Sequence, residues 1–367
     1  LSLASLPGVF DESHRRLAED LAASLSGDAV VTDDPGEAVR RLAKLGCFRH
    51  VAPCASVRAL CVVRDALAQR SPLADAILAV QGLAACPLDL AGGDRWRGRI
   101  AEMGEGRRIG GFALTEPEAG SDVASMRSTA WREGGAWRLR GDKTLISNVG
   151  VADFFVVFAN ADPAAGKRGI SAFVVEASAP GLALEPILTI DDHPLGRLRM
   201  EGVHGELLGE VGHGLRLALG TLDRFRTSVG AAATGMAQRA FAEAVGHVTT
   251  RVQFGQPLAS FQLVQAALAE MATDLEASRL LVARAAWAKD AGQAARAEVA
   301  MAKMFATEAA GRVIDRAVQL LGGLGVVRGG VVERLYRSVR ALRIYEGTTE
   351  IQKLLIAEAI VDRAAGR

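Results

Sequence analysis

The chain has 367 residues, half of them apolar and 23% charged, with 43 basic residues set against 42 acidic ones. That balance excludes disordered, collagen-like and fibrous chains, and it leaves no net field to gather nucleic acid or anionic lipid. At about 150 residues per domain, the length allows two or three domains with a sizeable core.

Helical texture opens the chain. Leu17, Leu21 and Leu25 recur every four residues and Leu42 and Leu45 are three apart, within a helical region running from about residue 11 to 108. Pro53, Pro72 and Pro87 are expected to break this region into short helices. No apolar run reaches the roughly 18 residues of a bilayer span, and Leu1 to Phe10 lacks the basic start of a signal peptide. The expectation is a cytoplasmic, bacterial protein without a membrane span. Cys47, Cys54, Cys61 and Cys86 have neither zinc-site spacing nor the density of a disulfide framework, so buried reduced thiols are expected.

The texture changes at about residue 110. Trp137-Arg138-Leu139-Arg140 alternates, Asp153 to Phe158 is a buried apolar run, and Ile170 to Val175 is β-branched and aromatic. Turns such as Glu133-Gly134-Gly135 separate these stretches, which predicts an antiparallel sheet region reaching about residue 205. From 214 onward Leu268, Met271, Leu275, Ser278, Val282 and Ala285 step by three and four, the stripe of a helix packed in a bundle. The predicted class is α+β, mostly α. It has an N-terminal helical domain at 1–109, a central antiparallel β-barrel-like domain at 110–213 and a C-terminal four-helix bundle at 214–367.

Five segments carry chemistry. Phe112 to Asp122 ends in a tight turn where Gly120 admits a close ligand and Ser121 can donate to an oxygen, yet it reads equally as a capped turn. Gly141 to Asn148, taken alone, is a polar β connection. Arg251 to Leu258, followed by Phe261-Gln262, is an interhelical turn whose Arg251 and Gln253 could grip an anion. Gln319 to Gly325 is glycine-rich but follows a helix rather than a strand, which excludes a Rossmann fingerprint. In Arg343 to Gln352, Glu346 sits between Tyr345 and Gly347 just before a helix N-cap at Thr348 or Thr349. As a lone motif, Glu346 would be a carboxylate facing a helix dipole. Two further stretches read as structural: Arg95-Trp96-Arg97-Gly98-Arg99 as the cap of a solvated helix, and His193 as a surface loop residue with no metal-site spacing around it.

Together, in this order and on this layout, the five segments resemble the acyl-CoA dehydrogenase family over about residues 110 to 360. The resemblance implies FAD in a cleft between β domain and bundle, and oxidation of an acyl-CoA thioester to its 2,3-enoyl form. On this sequence it implies that Phe112, Leu114 and Thr115 face the flavin pyrimidine. Ser121 would reach the pyrophosphate and the substrate, with Leu145 beside the flavin and the Ser147 hydroxyl at flavin N5. Arg251, Gln253, Phe254, Gln262, Gln319, Gly322 and Gly323 would hold the FAD of a neighbouring subunit, and Thr348 and Glu350 would close over the pyrophosphate. Asp223, Arg226, Tyr345 and Gly347 fall to the substrate.

The same resemblance makes Glu346 the base that removes the α-proton, because the alternative base position of other branches matches Phe225. It further implies an electron-transfer flavoprotein as acceptor and a homodimer or homotetramer. Two departures stand out. Leu145 replaces a Trp that usually shields the flavin, and Gly46 to Pro53 replaces a Pro-rich segment ending in Tyr-Gly-Gly. Leu145 keeps open a flavin-dependent monooxygenase or oxidase on the same fold, while Glu346 speaks for the dehydrogenase. A catalytically silent flavin-fold protein that binds nucleic acid would have to rest on the Arg95–Arg99 cluster.

Overall fold

The computed structural model describes residues 3–366. Local capping chemistry explains where the early helices begin. Asp11 Oδ1 accepts from the N–H groups of Ser13 and His14 to start α1 (Glu12–Ser24). Asp34 and Pro35 start α2 (Pro35–Lys44), and Ser56 accepts from the Ala59 N–H to start α3 (Val57–Ala68). Next come α4 (Pro72–Ala91) and α5 (Arg97–Gly104).

Pro72 begins α4 as expected, but Pro87 lies inside it, so the region is not broken there. A 20-residue helix survives the missing N–H because its neighbours enclose it: Ala84, Ala85 and Leu88 are fully buried. The same helix is long and apolar enough to cross a membrane by length and composition, which corrects the reading of the sequence. In the fold, 83% of its apolar window is buried inside the protein.

Seven strands follow: β1 (Gly110–Ala113), β2 (Thr129–Glu133), β3 (Ala136–Ser147), β4 (Phe154–Asn160), β5 (Ile170–Glu176), β6 (Leu182–Ile187) and β7 (Leu195–Leu208). They lie in the order β1-β4-β2-β3-β7-β5, with β6 on β7. An additional pairing of β4 with β5 closes the sheet on itself. The sheet is mixed rather than antiparallel throughout, because β1 runs parallel to β4. The apolar run of β4 has a direct cause, since both of its faces are covered. Phe154, Val156 and Phe158 pack with Ala84, Leu88 and Trp96, while Phe155 and Val157 pack with Leu139, Phe173 and Val203. Trp96 is therefore a core residue, with Arg95 and Arg99 stacked over its ring, and not part of a solvated cap.

The chain continues through α6 (Gly214–Thr250), a short ribbon of β8 (Val252–Gln253) and β9 (Gln256–Pro257), α7 (Gln262–Asp290), α8 (Arg296–Leu321), α9 (Val331–Val339) and α10 (Thr349–Ala364). Contacts divide the chain into two compact units. One holds Val30–Ala55 and Ala76–Asp223, hence the sheet. The other holds the residues up to Ala29, Ser56–Asp75 and everything from Arg224 on, so the first hundred residues are shared between them. The helical unit packs Val229, Met236, Met271, Leu275, Ile314 and Leu335 into one core. Its helices approach closely: a Cβ on Gly235 would lie 2.3 Å from the carbonyl oxygen of Asp65. In the sheet unit the sulfurs of Cys54 and Cys86 lie 2.7 Å apart, a proximity that their sequence spacing does not suggest.

Candidate active site

In the helical unit, the segment before α10 is tied down by its backbone. Thr348 caps α10 by accepting from the Ile351 N–H. Arg226 Nε donates to the carbonyl of Glu346 at 2.9 Å. Lys303 Nζ and Gln352 Nε2 donate to the carbonyl of Gly347 at 2.7 and 2.9 Å. Glu346 itself is held at φ +55°, a left-handed conformation that costs a residue with a Cβ about 1 kcal/mol or more. With both carbonyls engaged, the carboxylate is left over: Oε2 reaches no solvent and has no hydrogen-bond partner among the described residues.

Burial dominates its titration, pushing the Glu346 carboxyl up from 4.5 to about 7 against the pull of Arg64, Lys303 and Arg226. The same burial pushes the Lys303 ammonium down to about 8. Together these features make Glu346 a carboxyl poised near neutrality with one oxygen available. Such a group can take or give a proton at a carbon acid.

Arg64 stands behind this loop. Its Nε and Nη2 grip both oxygens of Asp75 at 3.0 and 2.8 Å, and Nη1 donates to Ser228 Oγ at 3.0 Å. Both side chains of the pair are 1% exposed. The positive charge of Arg64 also bears on Tyr345, the residue beside Glu346, but burial outweighs it and drives the Tyr345 phenol well above its ordinary value. Sequence reasoning missed Arg64, Asp75, Ser228 and Lys303. A signal was present, because Arg64 follows Val62-Val63 and Asp75 precedes Ile77-Leu78, charges set into apolar helix faces.

The sheet unit assembles a second group of expected residues. The Thr144 N–H donates to the carbonyl of Thr115, and Asn148 Nδ2 donates to the carbonyl of Gly110, so the end of β3 is fastened to β1 and the turn after it. Lys143, fully buried, donates to Glu116 Oε1 at 2.8 Å and to the carbonyl of Leu114 at 3.1 Å. Glu116 also accepts from the N–H groups of Arg127 and Ser128, so one buried ion pair sets the path of the chain around Ser121. Burial pushes Lys143 down to about 8, and the ammonium holds Glu116 low.

An irregularity in the β3–β7 register between Lys143 and Ile146 turns Leu145 outward at φ +54°, 55% exposed. Ser147 follows it. His193 is the clear correction in this unit. Its ring is turned inward rather than lying free on a surface loop, with Nε2 2.8 Å from Ser147 Oγ and Nδ1 buried without a partner among the described residues.

A third set meets in the helical unit. Arg251, Gln253, Gly322 and Gly323 line one groove of about 480 Å³ with His247, Leu258 and Leu324. The helix before it ends at Thr250, and the connection is a two-residue ribbon whose turn residues Phe254 and Gly255 both have positive φ. Phe254 is 93% exposed and stands outside the groove lining, as do Gln262 and Gln319. Glu350 lies exposed in the first turn of α10. No cluster of three or more metal-ligating side chains occurs among the described residues.

Comparison with known proteins matches residues 111–203 to the acyl-CoA dehydrogenase middle domain and residues 212–361 to the acyl-CoA dehydrogenase C-terminal domain. A 3-(aryl)acrylate reductase of Clostridium sporogenes is 35% identical over 96% of this chain and 99% of its own. The human mitochondrial short-chain specific acyl-CoA dehydrogenase is 44% identical over 70% of this chain and 64% of its own. The structure of butyryl-CoA dehydrogenase from Megasphaera elsdenii superposes with a TM-score of 0.89, at 29% identity, over 96% of this chain and 99% of that one.

Proposed function

The chain belongs to the acyl-CoA dehydrogenase family, and on that premise we propose that it is an FAD-dependent oxidoreductase acting on the α,β bond of an acyl-CoA thioester, with Glu346 as the group that handles the α-proton. The observation carrying this reading is the buried, unpartnered Oε2 of Glu346 on a carboxyl raised to about 7. An ordinary glutamate is too weak a base for a thioester α-hydrogen. Drying the carboxylate raises its proton affinity toward that of the carbon, and hydrogen bonds to the developing enolate oxygen close the remaining gap. Arg226 and Lys303 hold the Glu346–Gly347 carbonyls, so the carboxylate stays aimed without being neutralised by a direct bond. A carboxyl that titrates near neutrality serves either direction, as base for desaturation or as acid for saturation, and the Clostridium relative is named for reducing an acrylate.

The residues of the sheet unit fit FAD. A Cβ on Gly120 would meet nothing within 4 Å, Ser147 and Thr115 belong to segments fastened together, and Leu145 is turned outward beside them. FAD supplies the acceptor for the β-hydrogen and its electron pair. Thr115, Ser121 and Ser147 are the groups proposed to hold it. The groove lined by Arg251, Gln253, Gly322 and Gly323 is proposed to receive the cofactor of a second copy, which makes the protein a homo-oligomer. An electron-transfer flavoprotein is the proposed acceptor. Anaerobic mixing of the FAD-loaded protein with a panel of acyl-CoAs tests the reading. A cognate thioester bleaches the flavin in the native protein, and Glu346→Gln slows that step by about 10² to 10⁴ or more. Equal rates in both proteins would remove Glu346 from the reaction.

A further inference from the structure

His193 carries no role in the function proposed above, yet it is the side chain that touches Ser147. The contact is built from several directions. Ser147 ends β3 and pairs with Leu195 at the start of β7. The Asn148 N–H donates to the carbonyl of Pro194 at 2.8 Å, fixing the chain on the other side of His193. Upstream, Thr189 Oγ1 donates to Asp191 Oδ1 at 2.8 Å and so orders the connection that delivers the ring. His193 Nε2 lies 2.8 Å from Ser147 Oγ, and Nδ1 is sealed from solvent with no partner among the described residues.

These contacts choose between the two tautomers of a neutral ring. Burial pushes His193 down to about 4, against the pull of Asp191, so the imidazole is uncharged at neutral pH with one N–H and one lone pair. A proton on Nδ1 would leave a buried N–H donor unmade, and orphaned buried N–H groups are the rarer kind. The proton therefore belongs on Nε2, from which it is donated to Ser147 Oγ. With that lone pair occupied, the Ser147 hydroxyl turns its own proton away from His193.

We propose that His193 is a positioning residue for the flavin: by donating to Ser147 it locks that hydroxyl as a hydrogen-bond donor toward the flavin N5 position. The inference rests on the reading that places FAD against Ser147. A locked donor suits oxidised flavin, whose N5 accepts, and opposes reduced flavin, whose N5 carries a hydrogen. His193 thus biases the bound cofactor toward its oxidised form. Without it, the hydroxyl can rotate and accept.

The test is the two-electron reduction potential of FAD-loaded protein, measured by dye equilibration without substrate, together with FAD content. His193→Phe is expected to raise the reduced-to-oxidised ratio at fixed potential roughly tenfold, which is about 30 mV for two electrons. His193→Gln, whose amide can still donate, should restore most of the native value, and it keeps the test open if the Phe variant fails to fold. In a Ser147→Ala background, His193→Phe should add nothing. A native potential in His193→Phe alongside a shifted one in Ser147→Ala overturns the role of His193 while leaving the flavin site intact. Unchanged potential and FAD content in Ser147→Ala would instead remove Ser147 from the flavin, and the inference with it. Nitrogen-15 imidazole shifts of the loaded protein give a readout independent of potential: a His193 proton on Nδ1 rather than Nε2 overturns the proposal.

Discussion

Replacing Glu346 by Gln should stabilise the protein, and only above a certain pH. The native carboxyl is raised from 4.5 to about 7, so the folded state binds its proton more tightly than the unfolded chain does. Below pH 4.5 both states are protonated and no penalty exists. As pH rises from 4.5 to 7 the unfolded chain ionises freely while the folded one resists, and stability falls. Above 7 the full cost is present. At 1.36 kcal/mol for each pH unit between the two values, it amounts to about 3 kcal/mol. Gln keeps the shape and never ionises, so it escapes this cost. Its thermal or urea midpoint should lie close to the native one at pH 5 and clearly above it at pH 8. For a 367-residue protein unfolding in one transition, a gain of that size is a shift of several degrees. A Gln-minus-native difference that is the same at pH 5 and pH 8 would refute the reasoning, because it would show that the carboxyl titrates alike in both states. A carboxyl that costs stability at working pH is what the proposed site, held ready for chemistry, should show.

Two further perturbations follow from the same geometry. Arg64→Met leaves Asp75 buried and unpaired, and should cost about 3–5 kcal/mol in chemical denaturation, whereas Arg64→Met with Asp75→Leu should recover much of that loss. Where Arg64→Met folds, the pH midpoint of flavin reduction should rise, since Arg64 is the strongest of the charges holding the Glu346 carboxyl down. Arg251→Ala should lower both FAD retention and the sedimenting mass, because the groove it lines is proposed to hold a neighbour's cofactor. A change in neither would contradict the shared site.

Period and capping were enough to read much of this protein. The stripe Met271, Leu275, Ser278, Val282 and Ala285 is buried on α7, and Thr348 caps α10 immediately before its first residue Thr349, both set by local spacing. Glu346 was legible because it shares one short segment with its cap and its glycine. The sequence could not show that the carboxyl would be dry, since the groups around it come from positions 64, 226 and 303. Pro87 illustrates the opposite error: a breaker by local rules, it is overridden where the whole helix is enclosed. The pairing of β1 with β4 in parallel, the Lys143–Glu116 bond across 27 residues and the contact of His193 with Ser147 across 46 likewise have no local signature. Local sequence decides conformations whose energies come from near neighbours: caps, turns and amphipathic stripes. Burial and charge pairing depend on which distant segments exclude water from one another, and only the folded chain brings those together.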